Sequence, residues 1–433
     1  MAGKYRVLVI AEAANPEWVS VPLVGWSMAH ALREVADVHI VTQVRNAAAF
    51  VRAGLVEGRD FTALDTEKVA GPAYRLAERL RGGSGKGWTM MTAIASLTYP
   101  YFERLAWKRF GPAIRRGDYD VVHRVTPLSP TTASPIAAKV RRAGVPFVLG
   151  PLNGGLPWPE GFGAERRKEK EWLSYVRGLY KLLPHRTRTL AAATVILAGS
   201  RHTAAEMPAA HANRVVYMPE NGIDPARFGC VAEAPAGGPL RICFIGRLVP
   251  YKGPDIVIEA ALPLLREGRA AIDIIGDGPM RAELEAMVAR EGVGAARDGG
   301  VTFHGWVEHG DVQAIACRST VFAFPSVREF GGGAVLEAMA LGLATVVVDY
   351  GGPGELIEQD RGVAIPIGPR ATIVAAMRDA LTRFAAAPEG ARAIGEAARA
   401  WTLERLTWSA KARAMLPVYD WATGARTERP EPY

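Results

Sequence analysis

Residues Phe324–Asp349 read FPSVREFGGGAVLEAMALGLATVVVD, and this stretch decides the fold. An apolar run ends at Pro325. A loop with Glu329 and three consecutive glycines follows, then a helical pattern through Glu337 toward Leu341, then the apolar run ATVVVD. Strand, glycine loop, helix and strand in that order make the βαβ unit of a parallel sheet. Working outward, the second half repeats the pattern in RICFIG, IDIIG, VTFHG and TVFAFP. The first half carries YRVLVIA, DVHIVT, YDVVHRV, PFVLG, TVILAG and RVVYM. Short, nearly continuous apolar runs rich in Val and Ile suit parallel strands covered by helices on both faces. The expected fold is therefore α/β, with two doubly wound Rossmann-like domains facing each other across a cleft. Between them PENGIDPARFGCVAEAPAGGPL, from Pro219 to Leu240, is dense in Pro, Gly and Ala and has no clear period. It marks the boundary between an expected first domain, 1–219, and a second, 220–410.

The chain has 433 residues, 49% hydrophobic and 22% charged, enough apolar material for two or three globular domains and too much for disorder. Three cysteines, Cys230, Cys243 and Cys317, form neither a metal-ligand spacing nor an even disulfide set, so free thiols and a reduced compartment are expected. KYRVLVIAEA is too short for the apolar core of a signal peptide and reads as a first strand. No apolar run reaches the roughly 18 residues of a membrane span. A cytoplasmic protein, at most peripheral on the inner membrane face, is the expectation.

Charge is uneven. The chain carries 52 Lys and Arg against 44 Asp and Glu, a net +8, but Met1–Pro219 holds 30 basic and 17 acidic residues while 220–410 holds 18 and 24. Two basic segments stand out in the first half, around Arg104–Arg116 and Arg166–Arg188, with aromatic residues interleaved. They suit docking on an anionic membrane surface or holding a lipid-linked or acidic acceptor; equally, they suit a solvated basic face. With no Walker-type GKS or GKT and no nucleic-acid-binding motif, nucleic acid is not an expected partner.

Two loops carry chemistry. In the first, Gly331, Gly332 and Gly333 let backbone amides approach a ligand, and the helix N-terminus adds partial positive charge, a seat for a diphosphate. Glu337, about one turn into the helix, can reach vicinal hydroxyls of a ribose, and Glu329 faces the sugar side. The same residues also fit a glycine-rich turn whose carboxylate balances the helix dipole. In the second loop, RICFIGRLVPYKGPDIVIEAA, Arg247 and Lys252 lie five residues apart between a strand and a helix. Two cations there can neutralise a departing diphosphate, or simply be solvated.

Taken together, Arg247 and Lys252 followed by Glu329 and Glu337 resemble the signature of family 4 retaining glycosyltransferases of the GT-B fold, also called glycosyltransferase group 1. ENGID at Glu220–Asp224, GDGP at Gly276–Pro279 and FHGWV at Phe303–Val307 are similar to further segments of that family. HRVTPLSP at His123–Pro130 and GPLNGGLPWPEGF at Gly150–Phe162 resemble its acceptor-side loops. The resemblance implies transfer of a sugar from a nucleotide diphosphate sugar, a co-substrate, to a hydroxyl of a polysaccharide intermediate, glycolipid or small metabolite. It implies retention of anomeric configuration and no metal or other cofactor.

Carried over by residue, it implies that Arg247 and Lys252 contact the diphosphate, Glu329 the donor sugar and Glu337 the ribose. Phe330, Gly331, Gly332 and Gly333 would orient the donor, and Gly25 would let backbone approach the phosphate. Asn153, Gly154, Gly155 and Trp158 would line the acceptor pocket, and His123 would be a catalytic candidate. The C-terminal segment 411–433 would return to the first domain. Two departures stand out: Phe330 follows Glu329 directly, before the glycines, and Val125 stands where many members carry a histidine. A GT-B phosphorylase or nucleotide-sugar epimerase, and a non-catalytic nucleotide- or nucleic-acid-binding protein, are the alternative functions.

Overall fold

The computed structural model describes residues 4–68, 71, 88–154, 156–159, 162–163, 184–232, 237–294, 299–308, 310–358 and 360–433. The chain folds as two compact units. The first comprises Met1–Gly155, Glu171–Glu220 and Trp408–Tyr433; the second comprises Leu156–Lys170 and Asn221–Thr407.

The first unit is built on seven strands: β1 (Arg6–Ala11), β2 (Asp37–Gln43), β3 (Phe61–Leu64), β4 (Val121–Thr126), β5 (Phe147–Leu152), β6 (Val195–Ala198) and β7 (Val215–Tyr217). They pair in parallel in the order β3-β2-β1-β4-β5-β6-β7. Alternate side chains of β1 feed opposite cores. Val7 and Val9 pack with Trp26, Leu32 and Phe50, while Leu8 and Ile10 pack with Tyr99, Phe102 and Phe110. Burial on both faces is why the strand reads as a continuous apolar run.

The C-terminal segment completes the first of these cores. Met415, Val418 and Tyr419 are buried there, the Tyr5 hydroxyl donates to Asp420 (2.6 Å), and the buried Lys411 ammonium donates to the Pro219 carbonyl.

Six parallel strands make the second sheet: β8 (Leu240–Ile245), β9 (Ala270–Ile275), β10 (Val301–Gly305), β11 (Val321–Phe324), β12 (Ala344–Val348) and β13 (Val363–Ile365). Their order is β10-β9-β8-β11-β12-β13. Both sheets reverse strand order beside their first strand, between β1 and β4 and between β8 and β11. Ligands of doubly wound folds bind beyond the carboxyl ends of strands at such points.

Three expectations are corrected. Cys230 and Cys317 form a disulfide, their Cα atoms 6.6 Å apart, because the segment after Asn221 runs beside the helix Val312–Ala316; Cys243 alone is free, and it is buried. Alkylation of the denatured, unreduced protein is therefore expected to label one thiol and, after reduction, three; three labels without reduction would show the bond absent. Second, three aromatics of Arg104–Arg116 and its preceding turns point away from the basic side chains rather than being displayed among them. Tyr99, Phe102 and Phe110 are buried in the core of the helix Trp88–Arg116, while Arg104, Lys108, Arg109, Arg115 and Arg116 are exposed. That is an ordinary amphipathic pattern. The second basic segment, Arg166–Arg188, lies outside the described residues up to 183. Third, Leu156–Pro159 packs within the second unit rather than the first, the Tyr350 hydroxyl donating to the Pro157 carbonyl (2.9 Å). Among the described residues no helix is long and apolar enough to cross a membrane.

Candidate functional site

Arg247, Lys252 and Glu329 come together at the carboxyl ends of β8 and β11. After β8 the chain passes Gly246 and Arg247, makes a tight turn over Pro250–Lys252, and enters the helix Pro254–Arg266 through Gly253. Gly253 is left-handed (φ 68°), and a Cβ there would lie 2.9 Å from the Pro325 ring, so only glycine joins turn to helix this close to the next loop. That loop, after β11, is tied to the turn by Val327 N–H to the Tyr251 carbonyl (2.9 Å) and by the Ser326 hydroxyl to the same oxygen (3.3 Å).

The result is a partly buried ion pair between Lys252 Nζ and Glu329 Oε2 at 3.0 Å, with the ammonium 5.2 Å from the centre of the Phe324 ring. Burial alone would lower the Lys252 pKa, but the Glu329 carboxylate outweighs it and the ammonium titrates above its ordinary value. Lys252 therefore stays cationic throughout the physiological range. Arg247 is exposed and has no hydrogen-bond or ion-pair partner among the described residues. One cation is thus held and one is open.

The GDGP segment acts on this geometry from behind. Gly246 N–H donates to Ile275 (2.9 Å), Leu248 N–H to Asp277 (3.0 Å), and Gly276 N–H to Gly305 (2.9 Å). A Cβ on Gly276 would fall 2.0 Å from the Gly246 carbonyl oxygen, and one on Gly278 2.4 Å from that of Leu248. The loops after β8, β9 and β10 are therefore packed backbone on backbone, and the Arg247 loop has a fixed course.

On the other side, Gly332 (φ 63°) caps the helix Gly333–Leu341, of whose nine residues six are buried. Glu337 is its one carboxylate and is partly exposed. Gly351 and Gly352 allow their helix to press on the loop: Cβ atoms there would meet the carbonyl oxygens of Glu329 (2.5 Å) and Phe330 (2.4 Å). Asn221, from the ENGID segment, lies beside Gly333. Arg328, which motif reading passed over, is buried between the Trp158 ring (4.9 Å) and the Phe330 ring (5.8 Å).

The remaining described candidates are packed against neighbouring residues. Trp158 is packed against Arg328 and edge-on to Tyr251 (6.2 Å), all within the second unit. His123 is fully buried. Its Nδ1 bonds the Tyr419 hydroxyl and its Nε2 the Gly150 carbonyl, both at 2.8 Å, and burial lowers its pKa to about 4. A neutral imidazole with both nitrogens taken has none to offer a substrate, which corrects its place among the catalytic candidates; Val125 is likewise a core residue.

Asn153 is buried and its side chain is engaged at both ends. Its Oδ1 accepts from Ser200 Oγ (3.0 Å), Thr203 Oγ1 (3.3 Å) and Gly154 N–H (2.8 Å), and its amide donates to Glu220. Gly154 stands beside the Pro130 ring, and Gly155 lies outside the described residues. Gly25 is needed for packing: a Cβ there would sit 2.2 Å from the Ala13 carbonyl oxygen and 2.8 Å from Thr126 Cγ2. Among the described residues, no group of three or more His, Cys, Asp or Glu is placed to hold a metal.

Residues 239–383, which carry Arg247, Lys252, Glu329 and Glu337 with their glycine loops, match the family described as glycosyl transferases group 1. The chain is 28% identical over 354 residues to a 2-deoxystreptamine glucosyltransferase of Streptomyces kanamyceticus, covering 74% of this chain and 84% of that protein. Among solved structures, a glycosyltransferase from Rickettsia africae ESF-5 matches with a TM-score of 0.61 at 13% identity, over 97% of this chain and 98% of that one. Anabaena Alr3699/HepE, solved in complex with UDP, matches with a TM-score of 0.58 at 14% identity, over 95% and 99%. Likeness at such low identity is likeness of fold, and the fold is GT-B.

Proposed function

We propose that the chain transfers a sugar from a nucleotide diphosphate sugar to an acceptor hydroxyl, with retention and without a metal. The observation that carries this reading is the held Lys252–Glu329 pair beside the open Arg247, within the segment 239–383 that matches the group 1 glycosyl transferases. In transfer, the bond from the anomeric carbon to the diphosphate oxygen breaks and a bond to the acceptor oxygen forms; the acceptor's proton passes to the departing phosphate oxygen. Negative charge accumulates on that oxygen, and the partly buried, held Lys252 together with the open Arg247 stabilises it. Glu329, oriented by Lys252, accepts hydrogen bonds from the donor sugar's hydroxyls. Glu337 accepts them from the ribose, and the amides around Phe330–Gly333 meet the diphosphate. The relative's name, a 2-deoxystreptamine glucosyltransferase, supports a small polyhydroxylated acceptor. The test is nucleotide release from UDP-, GDP- and ADP-sugars in the presence of EDTA. Turnover of at least one is expected, and inactivity on all three would refute the reading.

A further inference from the structure

At the carboxyl end of β1, beside the strand-order reversal of the first sheet, stands Glu12. Its backbone is fixed. The Glu12 carbonyl accepts from Asn46 Nδ2 (2.9 Å) and Thr42 Oγ1 (3.4 Å), and the next residue, Ala13, is bound both ways by Thr126 Oγ1 (3.1 and 3.2 Å). Its carboxylate is not. Among the described residues it has neither a hydrogen-bond nor an ion-pair partner, although it is only partly exposed.

Other enclosed carboxylates of the unit are satisfied. Glu103 accepts from Tyr99 (2.8 Å), Ser134 (2.5 Å) and Ile136 N–H (2.9 Å), and Asp60 from Arg33 (3.0 Å), Arg59 (2.8 Å) and Val56 N–H (2.8 Å). A half-enclosed carboxylate left open is costly unless something else supplies its donors. Burial pushes its carboxyl up to about 7, with Arg45 pulling the other way. Arg45 itself is committed to Glu67 at 2.6 and 2.9 Å. The other groups near Glu12 are Tyr99, which senses its charge, and behind it Glu103 and Arg124, whose guanidinium lies 5.6 Å from the Tyr99 ring centre. None is a donor to Glu12. The loop that Glu12 opens also displays Trp18, 48% exposed, and holds Ser20 in a left-handed conformation (φ 64°), strain of the kind found at ligand sites.

We propose that Glu12 is an acceptor-binding residue of the first unit, its two open oxygens taking the hydrogen bonds of neighbouring hydroxyls on a small polyhydroxylated acceptor at the carboxyl edge of the first sheet. The exposed Trp18 ring offers the apolar face that sugar and cyclitol rings stack on. An acidic acceptor is disfavoured at this place because an unpaired carboxylate repels it. The inference rests on the sugar-transfer reading and assigns a residue of the first unit to its acceptor.

The test compares wild type with Glu12→Gln, which keeps the shape and removes the charge. Nucleotide release is followed from the preferred donor with 2-deoxystreptamine, myo-inositol and maltose as acceptors. At least one is expected to stimulate wild type, and its KM is expected to rise tenfold or more in the variant. An unchanged KM, or no stimulation by any of the three, overturns the proposal while leaving donor turnover and the transfer reading intact; no turnover of any donor overturns both.

Thermal melting supplies a second readout that a structural carboxylate would move the other way. Unfolded, the group ionises near 4.5, and folded, near 7. The fold therefore holds the proton more tightly, and stability is lost as pH rises through that window. Glu12→Gln is expected to melt above wild type at pH 8 and close to it at pH 5. A variant that melts below wild type at pH 8 would show that the carboxylate has a structural partner, and would overturn the proposal.

Discussion

Lys252→Ala is expected to lower kcat/KM for the nucleotide sugar by about 100- to 1000-fold, the usual cost of deleting one fixed charge or donor aimed at a developing oxyanion. Two losses combine. The leaving diphosphate loses a cation that is partly buried, and so weakly screened, and Glu329 loses the ammonium that orients it at 3.0 Å. Lys252→Arg keeps the charge but not the shape of a compact ammonium seated over Phe324, so it should recover only part of the activity. Glu329→Gln should lose turnover with the fold intact, because the amide offers the donor hydroxyls a weaker acceptor and no longer pairs with Lys252. Steady-state kinetics on all three, with melting curves to confirm folding, make the check. A Lys252→Ala enzyme within threefold of wild type would remove the pair from the mechanism.

The second large effect concerns stability. Gly276→Ala places a methyl 2.0 Å from the Gly246 carbonyl oxygen and 2.8 Å from its carbon, at a φ of 137° that side chains rarely adopt. Neither neighbour is a flexible side-chain end; both are backbone at the foot of the Arg247 loop. Clash and strain together are expected to cost about 2–5 kcal/mol, a fall in Tm of roughly 5–15 °C for a unit of this size. Gly294→Ala is the matched control. Its Cβ meets nothing within 4 Å, so it should stay within about 0.5 kcal/mol of wild type. Denaturant unfolding followed by tryptophan fluorescence measures both. Equal stability of the two variants would mean that the loops after β8 and β9 are not packed as described.

Eleven strands are legible as apolar runs, from YRVLVIA to ATVVVD, because a strand buried on both faces carries few polar interruptions. The two that escape, β3 (FTAL) and β13 (VAI), are edge strands of four and three residues. With one side unpaired and partial burial, neither needs a long apolar run. At the site, the glycines, Arg247, Lys252 and Glu329 are legible because each lies at a strand-to-helix turn where ligands bind. What sequence conceals is distance-dependent. His123 reads as a candidate until Tyr419, 296 residues on, is found on its ring. Trp158 reads as part of the first unit until Arg328 and Tyr251 are seen against it. Cys230 and Cys317 read as unpaired because three cysteines make no even set, until the fold brings these two together across 87 residues. Glu12 went unnoticed for the opposite reason. Its signal, a carboxylate directly after the first strand, is local, but its meaning lies in a missing partner, which only the packed structure reveals.

The central claim is that the loops after β8 and β11 form a nucleotide diphosphate site whose charge is supplied by Arg247 and Lys252. Calorimetric titration of the wild-type chain with UDP, GDP and ADP in EDTA tests it most directly. Saturable one-to-one binding of at least one nucleotide, weakened at least tenfold in an Arg247→Ala, Lys252→Ala double variant, is the expected result. No saturable binding of any of the three, or binding unchanged by the double substitution, would contradict it.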